Sequence, residues 1–409
     1  MYFKRKLEDQ ILKYLNSPEI IAVLGPRQCG KTTLLKKIYE DLKEAVFITF
    51  EDKGVLDMFE NNPKDFVEIY VKSKKYLFID EFQYAKKGGE KLKYIFDTNK
   101  IKILISGSSA VDLTVNAVKF LVGRIFVFNL YPFDFEEFLG TKNRNYQEKW
   151  KELNLKFKSL EKNDVGAELH EDLLRYYEEY AIFGGYPRVV LSETREEKKE
   201  VLKNIYNTYF LREVKDILGL IDDYKLAKLI KALALQTGNM VEYGEIGALS
   251  EYPYPTLKKY LNFLDKTFVC ALIRPYFRNK RTEIVKNPKV YFFDTGLRNM
   301  VVEDFRKLSD RPDAGGLLEN VLFQQLVKGG YLINYWRDKK KNEVDFVTKI
   351  AEQKEIALEV KSFLDRGATD STTVFQKKYP EIKLIFIFQN IKSDTVKNEK
   401  VIFYPIYVV

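Results

Sequence analysis

The chain has 409 residues, 45% of them hydrophobic and 31% charged, with a formal net charge of +9. That balance predicts a soluble globular protein of about two to four domains, and no apolar run approaches the roughly twenty residues that a bilayer-spanning helix needs. Two cysteines, Cys29 and Cys270, are too few for a disulfide framework or a Cys-based zinc site, and the single histidine, His170, excludes His-metal clusters and Ser-His-Asp triads.

The basic N-terminus (Met1 to Lys6) has no long apolar core or small-residue cleavage site, so no signal peptide is expected, and cysteine usage suits a reducing, cytoplasmic setting. A basic balance attracts polyanions, nucleic acid first; a Lys/Glu-rich surface selected for solubility or heat resistance is the alternative. Any hydrolysis must run on carboxylates, lysines, metal and water. His170 sits in a polar segment and is given no role.

Residues 1–18 predict a short amphipathic helix leading into a strand, Ile20-Ile21-Ala22-Val23-Leu24. The strand meets Gly25-Pro26-Arg27-Gln28-Cys29-Gly30-Lys31-Thr32-Thr33, a G-x-x-x-x-G-K-T loop, and an amphipathic helix follows with Leu34, Leu35, Ile38 and Leu42 on one face. Strand, glycine-rich turn and helix are the context of a phosphate-binding loop. Gly25 and Gly30 allow backbone N–H groups to converge on phosphate oxygens, at the positive end of the helix. Lys31 would reach the β- and γ-phosphates of ATP, and the Thr32 hydroxyl would ligate Mg²⁺.

Further apolar strands are expected at 45–50, 76–80, 101–106 and 124–130, separated by helical patterns such as 63–72. Alternation of this kind predicts a parallel sheet with ligands at the carboxyl ends of its strands. The third strand ends Asp80-Glu81-Phe82-Gln83, four apolar residues followed by two acids, the Walker B pattern. Asp80 would hold the metal and Glu81 would polarise the attacking water. The fourth ends Ser106-Gly107-Ser108-Ser109, where Ser108 is the candidate to report on the γ-phosphate. Arg124, after Gly123, is a candidate phosphate sensor or an ordinary surface arginine.

From Tyr131 to about Leu218 the pattern is helical and charged, broken at Phe183-Gly184-Gly185-Tyr186-Pro187, and predicts a helical lid over the nucleotide. Residues 222–300 predict three helices and a basic hairpin, a winged-helix outline. Its third helix buries Leu257, Tyr260, Leu261 and Leu264 and turns Lys258, Lys259 and Asn262 outward. Lys258 and Lys259, with the hairpin-tip residues Arg278, Lys280 and Arg281, are the candidate DNA contacts; internal docking is the competing use.

A new domain is expected from about residue 306. A helix carrying Glu319 precedes a strand with Asp345 and another with Glu359-Val360-Lys361, the PD-(D/E)xK nuclease pattern. Strand alternation puts Glu359 and Lys361 on one face. Asp345 and Glu359, with Glu319 completing the acidic set, would hold Mg²⁺ or Mn²⁺, and Lys361 would position the attacking water. Such a carboxylate cluster can also persist as structure without turnover.

The loop at Gly25 to Thr32, Asp80 to Gln83, Ser106 to Ser109, Gly123-Arg124, Leu130 to Phe133 with Phe135 to Phe138, Gly184 to Pro187, Pro288 to Leu297, Tyr335 to Arg337, Glu343 to Phe346 and Glu359 to Lys361 together resemble archaeal and bacterial AAA+/STAND-type ATPases. More specifically, they resemble the archaeal group with a winged helix and a C-terminal nuclease-like domain. The resemblance implies an α/β multidomain chain: AAA+ P-loop core at 1–130, helical lid at 131–221, winged helix at 222–305 and restriction-endonuclease-like α/β domain at 306–409. The turn at Gly184 to Pro187 resembles the phosphate-sensing connector of STAND switches. The function so implied is an ATP-hydrolysing switch coupled to a DNA-binding, metal-dependent nuclease domain, with a homo-oligomer or protein partner as further expectations. A regulatory ATPase whose nuclease-like domain only binds DNA, and a protein-sensing signalling or defence switch, are the alternatives.

Overall fold

The computed structural model describes residues 2–86, 88–108, 120–162, 165–211, 224–279, 286–350, 354–364, 370–391 and 402–409. Ser109, Lys280 and Arg281 lie outside them. The chain forms two compact units, Met1–Phe133 with Asn262–Phe268, and Asp134–Leu261 with Val269–Val409.

The first unit is built on β1 (Ile20–Leu24), β2 (Ala45–Thr49), β3 (Tyr76–Asp80), β4 (Lys102–Gly107) and β5 (Ile125–Asn129), all parallel, in the order β2-β3-β4-β1-β5. β1 is buried along its whole length, which is why it reads as an unbroken apolar run rather than an alternating one. Helices α1 (Lys6–Lys13) and α2 (Lys31–Glu40) close one face. Leu7 and Ile11 from α1 and Leu34, Leu35 and Ile38 from α2 pack with Ile21, Val23, Phe78 and Leu104. Each such side chain contributes about 1.5–3 kcal/mol by leaving water. Leu42 falls just past the end of α2 and packs at the margin of the same core. The expected helix at 63–72 is two pieces, an α-helical turn at Pro63–Phe66 and a wider π-type turn at Val67–Val71.

The second unit begins with helices α3 (Phe135–Lys142), α4 (Arg144–Ser159), α5 (Ala167–Phe183) and α6 (Arg195–Ile205). α4 and α5 hold the last residues of the chain. The Trp150 indole donates to the Tyr407 carbonyl, Asn154 donates 2.8 Å to the Val408 carbonyl, and His170 Nδ1 lies 2.8 Å from the Tyr407 hydroxyl. The histidine thus has a structural partner, and burial lowers its pKa. Helices α7 (Tyr224–Leu235), α8 (Tyr243–Ser250) and α9 (Tyr254–Lys266) precede an antiparallel hairpin of β6 (Cys270–Ile273) and β7 (Lys289–Phe292), which Met240 joins by a bridge to Lys289.

After β7 comes α10 (Thr295–Val302), capped by Asp294, and then α11 (Ala314–Lys328). The second sheet is β8 (Ile333–Arg337), β9 (Glu343–Ile350), β10 (Lys354–Leu364), β11 (Lys383–Ile391) and β12 (Ile402–Pro405), in the order β12-β11-β10-β9-β8. Its first two pairings from β8 are antiparallel and its last two parallel. The hairpin runs straight into this sheet: Tyr335 N–H donates 3.2 Å to the Arg274 carbonyl, and the Tyr335 hydroxyl donates 2.6 Å to the Asn287 carbonyl. Among the described residues no helix is long and apolar enough to cross a membrane.

Candidate functional site

The loop between β1 and α2 starts where the backbone tolerates nothing larger than glycine. A Cβ on Gly25 would stand 2.0 Å from the Leu130 carbonyl oxygen, which itself accepts the Cys29 thiol at 3.2 Å. Burial pushes the Cys29 thiol pKa up, so this cysteine packs rather than reacts. Gly30, at φ +98°, turns the chain into α2 and brings no side-chain oxygen to cap it, and the first turn holds no acidic residue. The N–H groups at the start of α2 therefore suit an external anion such as a phosphate. Lys31 is buried and donates 2.9 Å to each of the Gly25 and Pro26 carbonyls, so its ammonium spans the loop. Arg27 is half-buried, while Gln28 and Thr33 face outward.

β3 and β4 bring the second half of the site. The Thr32 hydroxyl donates 2.8 Å to Asp80 Oδ2, and the Ser106 hydroxyl donates to Asp80 Oδ1. Ser106 Oγ in turn accepts the Glu81 N–H at 3.0 Å. Glu81 is held left-handed at φ +55°, a conformation that non-glycine residues adopt at a cost and that clusters at working sites. Gln83 ties the end of the set together: its amide donates to the Glu81 carboxylate, and its oxygen accepts the Ser108 N–H at 3.3 Å. The hydroxyl and carboxylate of Thr32 and Asp80 are hard oxygen donors that fit Mg²⁺. Arg124 forms an ion pair with Asp97 at 3.2 Å, with both side chains two-fifths exposed.

Sequence reasoning passed over Arg5. Its guanidinium, 4% exposed, donates 2.8 Å to the Cys29 carbonyl and 2.6 Å to the Tyr131 carbonyl and stacks on Phe133. A lone arginine far ahead of the loop carries no local pattern that would reveal this.

In the second unit the acidic residues sit where β9 and β10 part. The antiparallel ladder runs from Lys354 opposite Ile350 to Leu358 opposite Phe346 and stops before Glu359 would face Asp345. Two carboxylates directly opposed would repel, and Asp345 Oδ2 instead accepts the Val360 N–H at 2.8 Å. Lys361, two residues beyond Glu359 on the same face, donates 2.8 Å to Glu359 Oε1. Glu359 is 6% exposed, and among the described residues its Oε2 has no hydrogen-bond partner. Burial, then the Asp345 charge, raises the Glu359 pKa; burial raises that of Asp345 against the pull of Lys289.

Glu319 on α11 is engaged differently from Glu359. Its Oε2 accepts the Tyr291 hydroxyl at 2.9 Å and faces Lys289 Nζ at 3.5 Å. Asp345 and Glu359 are hard oxygen donors of the kind a divalent ion takes: their charges act on one another, and among the described residues one Glu359 oxygen is buried without a partner. Among the described residues, no group of three His, Cys, Asp or Glu side chains is arranged to hold a metal ion.

Lys258 and Lys259 are exposed on α9 as the helical period requires, with Lys258 Nζ 4.7 Å above the Tyr254 ring. Arg278 forms an ion pair with Glu381 and lies 5.5 Å over the Tyr379 ring. The turn at Gly184 and Gly185 is a seat for Asp294. Gly185 N–H donates 2.8 Å to Asp294 Oδ2, and a Cβ on Gly184 would stand 2.2 Å from Oδ1.

Residues 17–139 match a family described as an AAA domain, and residues 174–309 and 314–407 match two families described as domains of unknown function, DUF8612 and DUF4143. An uncharacterized protein of Methanocaldococcus jannaschii is 24% identical over 93% of this chain and 83% of its own length. One from Haemophilus influenzae is 26% identical over 84% of this chain and 83% of its own. Among solved structures, a Walker-type ATPase of Pyrococcus abyssi aligns over 74% of this chain and 96% of its own, at 16% identity and a TM-score of 0.48. The AAA match covers the whole loop–Asp80–Glu81 set, and with it the first unit is a P-loop ATPase core that binds nucleotide.

Proposed function

We propose that this chain is an ATP-hydrolysing switch of the AAA+/STAND type, with a winged helix and a C-terminal, DNA-binding nuclease-like domain under its control. The observation that carries the second half is the convergence of Asp345, Glu359 and Lys361 at the point where β9 and β10 part. In the nucleotide site Lys31 holds the β- and γ-phosphates, Thr32 and Asp80 hold Mg²⁺, Glu81 polarises water, and Ser108 reads the γ-phosphate. Arg124 is an ordinary surface arginine and not a phosphate sensor, because it stands beside Ile20 where β1 begins, at the end of the parallel sheet opposite the loop, and pairs there with Asp97. Mg²⁺, when bound there, neutralises phosphate charge. In the nuclease-like domain Asp345 and Glu359 would hold Mg²⁺ or Mn²⁺, which would supply water activation, and Lys361 would orient the attacking water toward a phosphodiester. Exposed Lys258 and Lys259, with the basic hairpin tip, supply phosphate contacts on DNA. The segment 131–221 would act as the helical lid, ordered by the ATP state.

The test is purified protein with plasmid, linear and branched DNA, Mg²⁺ or Mn²⁺, with and without ATP. Cleavage that disappears in Asp345→Ala and in Lys361→Ala is the expected result. A specific observation favours a second reading, in which the domain binds DNA without cutting it: Lys289 already brings a buried positive charge to Asp345 and to its neighbour Glu343. Binding without cleavage selects that reading. No DNA binding at low salt rejects both and leaves a protein-sensing switch.

A further inference from the structure

The acidic cluster contains a cation that the chain supplies from outside the sheet. Lys289, 1% exposed on β7, places its Nζ 2.5 Å from Glu343 Oε1, 3.5 Å from Glu319 Oε2 and 4.0 Å from Asp345 Oδ1. The remaining charges around it are also fixed. Arg337 donates 2.9 Å to the other oxygen of Glu343, and Lys361 donates to Glu359. The Tyr335 ring lies 5.7 Å from the ammonium, and the Tyr291 hydroxyl donates to Glu319. A lysine this deep is held only because three carboxylates surround it. Its own position is set by the hairpin, since β7 pairs with β6 through Ile273 opposite Lys289.

We propose that Lys289 is the resident cation of this cluster, a positioning residue that holds Glu319, Glu343 and Asp345 together and weakens divalent-ion binding at Asp345 and Glu359. The ion's identity rests on the nuclease-like reading above; the role of Lys289 rests on its distances alone. A divalent ion at Asp345 would stand close to an ammonium held 4.0 Å from that carboxylate, and because both side chains are buried their repulsion is weakly screened. Among the described residues Glu359 Oε2 has no hydrogen-bond partner, and the carboxylates that Lys289 pairs with are Glu319, Glu343 and Asp345. Because Lys289 belongs to the hairpin, any movement of the hairpin changes how strongly the cluster holds a metal ion.

The experiment is Mn²⁺ titration of the full chain without nucleotide or DNA, by calorimetry and by the paramagnetic resonance of free Mn²⁺. Lys289→Gln should bind Mn²⁺ at least about tenfold more tightly than the unaltered protein. Adding Asp345→Ala to that variant should abolish the gain. The melting temperature of Lys289→Gln should fall by several degrees and recover in Mn²⁺ but not in an equal concentration of Na⁺. If Lys289→Gln does not fold, Lys289→Arg keeps the charge and should bind Mn²⁺ as weakly as the unaltered protein. Equal affinity in the unaltered protein and Lys289→Gln, or tighter binding in Lys289→Arg, overturns the role given to Lys289. An absence of Asp345-dependent Mn²⁺ binding in every form overturns the metal reading of the site itself.

Discussion

The Arg5 guanidinium and the Cys29 carbonyl are 2.8 Å apart and buried, and this contact anchors the phosphate loop from a segment that precedes the first helix. The same guanidinium holds the Tyr131 carbonyl just past β5. Charge-assisted hydrogen bonds of this kind contribute about 1.5–3 kcal/mol each, and a carbonyl left unpaired in the interior costs a comparable amount. Arg5→Ala should therefore lower the stability of the first unit by about 3 kcal/mol. ATP affinity should fall with it, because Cys29 belongs to the loop. Denaturant unfolding of the purified variant and nucleotide titration check both effects. Lys cannot span two carbonyls with one fork, so Arg5→Lys should recover only part of the loss.

Lys31 and Glu81 separate binding from turnover. Lys31→Ala removes the ammonium that spans the loop and is proposed to hold the phosphates, and ATP binding should drop below detection at micromolar protein. Glu81→Gln keeps the size of the left-handed residue but loses the negative charge proposed to polarise water. It should bind ATP normally and hydrolyse it at least about a hundredfold more slowly. Undiminished turnover in Glu81→Gln would remove this residue from the chemistry.

Gly184 and Gly296 are close-approach positions rather than hinges. A Cβ on Gly296 would stand 2.0 Å from the Phe183 carbonyl oxygen, and Gly184 is left-handed at φ +74° against the Asp294 carboxylate. Asp294 also caps α10 by accepting the Leu297 N–H at 3.0 Å. Either glycine changed to alanine should destabilise the second unit by about 3 kcal/mol or more, because the Cβ would displace the Phe183 backbone in one case and the buried Asp294 carboxylate, on a left-handed residue, in the other. Lys31→Ala, whose effect lies in the loop, should leave that melting transition unchanged. Scanning calorimetry of the three variants provides the comparison.

What the sequence made legible was local. The phosphate loop, Asp80-Glu81 and the exposed pair Lys258 and Lys259 follow from spacing within one strand, one turn or one helix, and the fold places them accordingly. The strand pair holding Asp345 and Glu359 was legible for the same reason. Arg5 and Lys289 were not, because each is a single cation whose meaning depends on carbonyls or carboxylates brought up from distant segments. Asp294 stood in a recognisable run, yet its bond to Gly185 spans 109 positions and has no periodic signature. Arg278 had the composition of a phosphate contact, but its neighbours in the fold, Glu381 and Tyr379, could not be read from the hairpin itself.

Asp265, near the end of α9, gives a stability signature that depends on pH. Burial raises its pKa to about 6, with Lys266 opposing. The unfolded chain releases this proton near pH 4, so between about pH 4 and 6 the folded state binds more protons than the unfolded one. Stability must then fall as pH rises through that window, and the cost persists at neutral pH, where the carboxylate is charged and poorly solvated. A carboxyl raised from about 4 to about 6 on folding costs about 2–3 kcal/mol at pH 7, an upper bound for a side chain with some solvent contact. Asp265→Asn removes the titration while keeping the shape. It should raise the melting temperature at pH 7 by several degrees and change it little at pH 4. A stabilisation of the same size at both pH values would show that packing, and not the buried charge, is what the substitution alters.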